Sequence, residues 1–183
     1  MTAQYPLMVL DWTLQDAVVD EIETLRAADR VPTGNNDVET ELLENFHGRA
    51  EAREFSFRSD EPATLAGGEN RGPRPLEYFL AGFAFCQQVI YAKNALATGI
   101  EFTDLSIEVH GDVDPRGVLG VGDVDPGFVD DEIRYTTHIE SPATREEVRE
   151  LVDLAEQHCP AHAALRDSVN LQGDVVLDGE PLD

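Results

Sequence analysis

Two cysteines are the residues of this chain best suited to covalent chemistry, and there is no third. Cys86 lies in the apolar run Leu76-Glu77-Tyr78-Phe79-Leu80-Ala81-Gly82-Phe83-Ala84-Phe85-Cys86, and Cys159 closes Glu156-Gln157-His158-Cys159-Pro160. Free cysteine is among the most buried residue types, so either thiol could be inert packing. The other reading is a working dithiol. Cys159 precedes a proline, so it can sit at the N-terminus of a new helix, where unpaired N–H groups lower a thiol pKa. Cys86 has no such help. If it reacts, a nearby cation must hold its thiolate.

The candidate cations are Arg53, the first choice, and Arg49, the second. Read as one strand over 46–58, both share the parity of Phe55 and Phe57. An arginine aimed at a core needs a partner or a purpose, unless it snorkels to solvent. Glu77 lies about two and a half turns before Cys86, nearly opposite in azimuth, and cannot touch it within one straight helix. It could orient an arginine at the helix entrance, or serve as a first-turn acid favoured by the helix dipole.

Other chemistries fit less well. His158, Cys159 and His162 offer metal-ligand types, but Pro160 interrupts the helix that would align them, so no metal is expected. The twin segments Gly111–Pro115 and Gly122–Pro126 carry aspartates without the EF-hand spacing. No phosphate loop, serine-nucleophile motif or dinucleotide fingerprint occurs, and no cofactor is expected.

The elements that must position the thiols follow from periodicity. Leu14, Val18, Ile22 and Leu25 predict a helix over 14–28, followed by a loop at 31–37. A strand is expected at 46–58 and a Gly- and Pro-rich loop at 60–73. A helix buried on all sides runs from Pro75 to Thr98, ended by Gly99. Alternation predicts strands over 103–110 and 128–140. Thr144 and Glu147 form a capping box for a helix that buries Val148, Leu151, Val152 and Ala155. Residues 168–177 read as a closing strand. Helices and strands do not alternate strictly, which favours α+β.

The 183 residues carry a net charge of −24, which opposes nucleic acid and anionic membranes as partners. Lys93 is the only lysine, and acids are spread along the whole chain. That pattern suits molar salt, where a Debye length of roughly 3 Å screens self-repulsion. It points to a halophilic source more than to an acidic binding surface. No apolar stretch is long enough to span a membrane and no signal peptide is evident, so a cytoplasmic protein is expected. In that compartment a transient disulfide is more plausible than a structural one.

At these residues the chain resembles the OsmC/Ohr family of osmotically inducible and organic hydroperoxide resistance proteins. The match rests on Asp60-Glu61-Pro62, Leu65-Ala66-Gly67-Gly68 and Gly72-Pro73-Arg74-Pro75-Leu76-Glu77, then on the apolar helix to Cys86. It resumes at Asp114-Pro115-Arg116-Gly117, Pro126-Gly127-Phe128 and the helix ending in Cys159-Pro160. The resemblance implies an α+β fold with antiparallel sheets around central helices, assembled as an intertwined homodimer. Residues 1–45 would be an extension with one helix, and 46–183 the OsmC-like domain.

It further implies that Cys86 is a peroxidatic thiol that attacks an organic hydroperoxide, and that Cys159 resolves the sulfenic acid as a disulfide. Arg53 or Arg49 would stabilise the thiolate, Glu77 would hold that arginine, and a thiol or dithiol would be the reductant. One departure is visible. The peroxidase branch places its glutamate directly after proline, where this chain has Leu76, with Glu77 one later. Two other functions stay open: a non-catalytic dimer that binds an apolar ligand near Phe79, Phe83 and Phe85, and a general disulfide-handling protein.

Overall fold

The structure, a computed structural model, describes residues 9–31, 33–167, 169–177 and 180–181. Pro32 of the expected loop, Ser168 of the expected closing strand and residues 1–8 of the expected extension lie outside them.

One long helix organises the rest. Helix α2 spans Pro75–Thr98, with proline in its first turn and Gly99 in the left-handed region at φ 78° just past its end. Proline presets the entry dihedral, and glycine takes the left-handed cap without a Cβ clash. The buried residues of α2 are Phe83, Gln87, Tyr91, Asn94, Ala95 and Leu96. Tyr91, Ala95 and Leu96 join Ile100, Phe102, Leu151 and Ala155 in the main core.

The expectation of burial on every side of α2 is not met within one chain. Leu76, Phe79, Phe85 and Val89 are exposed. The helix is apolar all round, but within one chain these residues stay uncovered.

Around α2 pack three layers. Helix α1 (Gln15–Ala27), entered through a short 3-10 turn at Trp12–Leu14, lies against it and adds Leu10, Trp12 and Val18 to the core. Helix α4 (Arg145–His158) covers another side through Leu151 and Ala155, and helix α5 (Pro160–Asp167) follows directly. Strands β4 (Asp104–His110) and β5 (Arg134–Glu140) pair antiparallel, with Leu105 opposite Ile139 and Val109 opposite Tyr135. Their inward side chains meet α2. The expected strand over 128–140 begins only at Arg134, because Val129–Asp131 form a 3-10 turn in which Asp130 and Asp131 take positive φ. A single turn, α3 (Pro115–Val118), capped by Asp114, lies in the connection between β4 and β5.

A second sheet stands apart. It comprises β1 (Glu39–Glu44), β2 (His47–Ala52) and β3 (Phe55–Ser59), paired antiparallel in that order. The expected single strand over 46–58 is therefore a hairpin. Arg53 takes φ 54° in the two-residue turn that reverses the chain. The turn resets the side-chain parity. Ala50 pairs with Phe57, whereas Arg49 pairs with Arg58 and Glu41. Directly paired residues share a face, so Arg49 lies on the face opposite Phe57. The inward-arginine reading from continuous parity fails for that reason.

The hairpin is tied to α2 by the loop from Asp60 to Arg74. The buried Asp60 carboxylate accepts N–H bonds from Glu61, Glu69 and Arg71. Arg71 donates to Nδ1 of the buried His47 at 2.9 Å and to Glu44 at 3.1 Å. Tyr78 Oη donates to the Arg58 carbonyl at 2.7 Å, and its ring lies 5.2 Å from that of Phe57.

The expected strand at 168–177 shortens to β6 (Val176–Leu177), paired with β7 (Glu180–Pro181). Val169 and Leu171 are exposed and unpaired. Among the described residues, no helix is long and apolar enough to cross a membrane.

Candidate active site

Cys86 and Cys159, 73 positions apart, meet where α2 passes the α4–α5 junction, with Sγ atoms 3.5 Å apart. Both are free thiols. Cys159 is the C-cap of α4, with φ −79° and ψ 115°. This extended geometry is what a following proline imposes. Pro160 then begins α5, and the Cys159 sulfur receives the backbone N–H of His162 at 3.4 Å. The capping box expected at the other end of α4 is present: Glu147 N–H donates to Thr144 Oγ1, and Thr144 N–H to the Glu147 carboxylate at 2.8 Å.

The two sulfurs differ in access and protonation. Cys159 has no exposed surface, whereas Cys86 is partly exposed. Burial pushes the Cys159 thiol above its ordinary range. The N–H groups of His162 and Ala161 pull the other way, and the Cys86 sulfur raises it further. The expected lowering at a helix N-terminus is thus outweighed by loss of water. Cys159 keeps its proton and donates it towards Cys86 Sγ.

Between Phe83 of α2, Tyr135 of β5 and His162 of α5 lies a cavity of ≈ 390 Å³, also lined by Phe128, Asp131, Ile133, Leu165 and Arg166; neither cysteine is on its wall. Phe83 is one helical turn before Cys86. Its ring meets Tyr135 edge-on at 5.2 Å and lies 6.4 Å from His162. Tyr135 Oη donates to Glu156 Oε1 at 2.7 Å and lies 3.5 Å from His162 Nε2. His162 Nδ1 is 3.1 Å from the Glu156 carbonyl. A carbonyl only accepts, so Nδ1 carries the proton.

The remaining candidates are elsewhere. Arg49 is ion-paired to Glu41 at 2.7 Å and Glu51 at 3.6 Å. It lines a second, apolar cavity of ≈ 390 Å³ between the hairpin sheet and Pro75 and Tyr78 of α2. The Arg53 guanidinium lies 5.1 Å from the Phe55 ring centre. Among the described residues, no hydrogen bond or ion pair joins either arginine to Cys86 within one chain. Glu77 accepts the Arg74 backbone N–H at 2.8 Å, and the Arg74 guanidinium goes instead to Glu61 at 2.9 Å. Its carboxylate caps α2 and holds no arginine here. His158 and His162 take separate partners, the former Asn94 Oδ1 at 3.0 Å.

The reading of the sequence missed Tyr135 and Glu156, and it weighed His162 only as a metal ligand. A local signal existed for His162. Three residues past a cysteine whose proline starts a helix, its backbone must return to the sulfur.

The family model described as OsmC-like protein matches residues 67–173. The chain is similar to the hydroperoxide reductase of Mycoplasma genitalium, 29% identical over 104 residues that span 57% of this chain and 70% of that protein. An uncharacterized protein of Haloferax volcanii is 29% identical over 147 residues, 79% of this chain and 98% of that one. Among solved structures, an OsmC-like protein from Mycoplasma pneumoniae superposes with a TM-score of 0.63 at 26% identity, covering 75% of this chain and 91% of the other. For the organic hydroperoxide resistance protein OsmC of Legionella pneumophila the TM-score is 0.54 at 20% identity, covering 74% of this chain and 92% of that one, a likeness of fold.

Proposed function

The chain belongs to the OsmC-like protein family, and on that premise we propose that it is a cysteine-based reductase of organic hydroperoxides. The observation that carries this reading is the 3.5 Å approach of a partly exposed Cys86 to a buried, protonated Cys159. The name of the Mycoplasma genitalium relative supports it.

In this mechanism the Cys86 thiolate attacks the terminal oxygen of the hydroperoxide. An S–O bond forms, the O–O bond breaks, and the sulfur becomes a sulfenic acid while the peroxide leaves as alcohol. Cys159 then attacks Cys86. The S–S bond forms, and the hydroxyl departs as water with the Cys159 proton. Closing from 3.5 Å to a bond of about 2.05 Å is a movement of roughly 1.5 Å. A thiol or dithiol in the cytoplasm reduces the disulfide by exchange.

The cation comes from a second copy of the chain. Exposed Phe85 and Val89 on α2, and Leu42, Phe46 and Phe55 on the hairpin sheet, are apolar surface that a homodimer would cover. Arg49 is now the better candidate, because Glu41 already fixes its guanidinium. Glu41 thereby takes the orienting role expected of Glu77. The acid-rich, lysine-poor composition sets the working medium as molar salt.

The test is turnover of cumene hydroperoxide with a dithiol donor at molar salt. Turnover that vanishes in Cys86→Ser is expected. A wild type without activity, or a Cys86→Ser variant as active as wild type, refutes the reading.

A further inference from the structure

Reduction of an alkyl hydroperoxide releases an alkoxide, a strong base that must receive a proton as the O–O bond breaks. Neither the arginines, nor Glu77, nor Cys159 supplies it. A guanidinium does not release its proton, and Glu77 is occupied as a helix cap. The Cys159 proton is needed one step later, for the departing hydroxyl.

The cavity that Phe83 and His162 line, next to the residues flanking the thiols, narrows the choice, since its wall holds Tyr135, His162, Asp131 and Arg166 as polar groups. Tyr135 commits its proton to Glu156 at 2.7 Å. Burial, and then the Glu156 carboxylate, push that phenol far above its ordinary range, so it is a poor acid. Arg166 is ion-paired to Asp167 at 2.6 Å, and Asp131 is an exposed carboxylate. His162 remains. Its Nδ1–H is fixed on the Glu156 carbonyl, so Nε2 is the nitrogen left to exchange protons with a molecule in the cavity. Tyr135 Oη, its proton directed at Glu156, faces Nε2 at 3.5 Å and presents a lone pair rather than a donor. The charged groups around the ring are Glu156 of α4, Asp131 before β5, and Arg166 and Asp167 of α5.

We infer that His162 is the general acid of peroxide reduction, protonating the leaving alkoxide from Nε2. This rests on the proposed hydroperoxide chemistry. In the balanced step, the Cys86 thiolate takes the terminal OH of ROOH and becomes the sulfenic acid. The sulfur loses two electrons and the peroxide gains them. RO⁻ takes the Nε2 proton and leaves as ROH, and the neutral imidazole regains its proton from water. Placement agrees with this role: the His162 backbone N–H is bonded to the Cys159 sulfur, which itself lies 3.5 Å from Cys86. Phe83, one helical turn before Cys86, and His162, three residues after Cys159, both line that cavity.

The experiment compares His162→Gln with wild type for the second-order oxidation of Cys86 by two oxidants. Cumene hydroperoxide expels an alkoxide and needs an acid. Peracetic acid expels acetate, a stable anion, and does not. The expected result is a loss of about a hundredfold or more with cumene hydroperoxide and less than about threefold with peracetic acid. The peracid rate also reports that the variant is folded with Cys86 reactive. Equal losses with both oxidants, or no loss with either, overturn the assignment. A wild type that reacts with peracetic acid but not with cumene hydroperoxide overturns the hydroperoxide function itself, whatever the variant does.

Discussion

Cys159 Sγ lies 3.5 Å from Cys86 Sγ and has no exposed surface, so the deeper thiol holds its proton towards the shallower one. In the proposed cycle that asymmetry suits Cys86 as the nucleophile and Cys159 as the resolving thiol. A nucleophile must meet the oxidant, and a resolving thiol must be shielded from it until a sulfenic acid appears beside it. Helix α2 sets one sulfur by packing, and the Cys159–Pro160 junction sets the other by backbone geometry.

Removal of the deeper thiol therefore stops the cycle after its first step. In Cys159→Ser, one equivalent of hydroperoxide should leave Cys86 as a sulfenic acid, trapped by dimedone and seen by mass spectrometry. Turnover with a dithiol should drop by about tenfold or more, because the exposed intermediate over-oxidises. Trapping as efficient in wild type would remove the resolving role.

The protonation of Cys159 sets a pH dependence. Burial places its folded-state pKa above that of the unfolded chain. The native state then binds the proton more tightly, so this contribution to stability is complete below the ordinary thiol pKa and is lost as pH rises through the folded value. In Cys86→Ser, alkylation of Cys159 by iodoacetamide should be slower than that of a free cysteine peptide at pH 8–9. Its midpoint should be displaced to higher pH. An alkylation curve matching the peptide would contradict the burial argument.

If Arg49 is the activating cation, Arg49→Ala should slow the hydroperoxide reaction by about tenfold or more, roughly 1.4 kcal/mol of transition-state stabilisation. Arg53→Ala should change it little, since that guanidinium sits over Phe55 in the hairpin turn. Stopped-flow oxidation rates separate the two. The reverse order would return the role to Arg53.

The exposed stripe of α2 predicts assembly. Sedimentation at molar salt should give a homodimer for wild type, and Phe85→Glu, at a side chain 66% exposed in the single chain, should shift it towards monomer. If the cation is supplied across the interface, Cys86 oxidation should slow in parallel. A monomer as reactive as wild type would place the cation within one chain.

The parts of the site written in local chemistry were legible. Pro75 and Gly99 bracket α2, Thr144 and Glu147 cap α4, and Pro160 turns Cys159 out of the helix. The illegible parts depend on pairing and burial. The β2–β3 turn carries Arg53 and Glu54 where glycine or asparagine would have marked it, so the hairpin read as one strand and the parity of Arg49 was inverted. Strand β1 is Glu39–Glu44, acidic and exposed throughout, without the alternation that reveals a half-buried strand. The helix-terminus argument for Cys159 was sound in sign and too small. How far the sulfur is dehydrated depends on α2, 73 residues away in sequence.

The most direct test of the central claim is titration of the reduced protein with cumene hydroperoxide at molar salt, followed by peptide mapping without reduction. The account predicts one Cys86–Cys159 disulfide per chain at one equivalent of oxidant, with both thiols restored by a dithiol. Two thiols still free after excess hydroperoxide would contradict it.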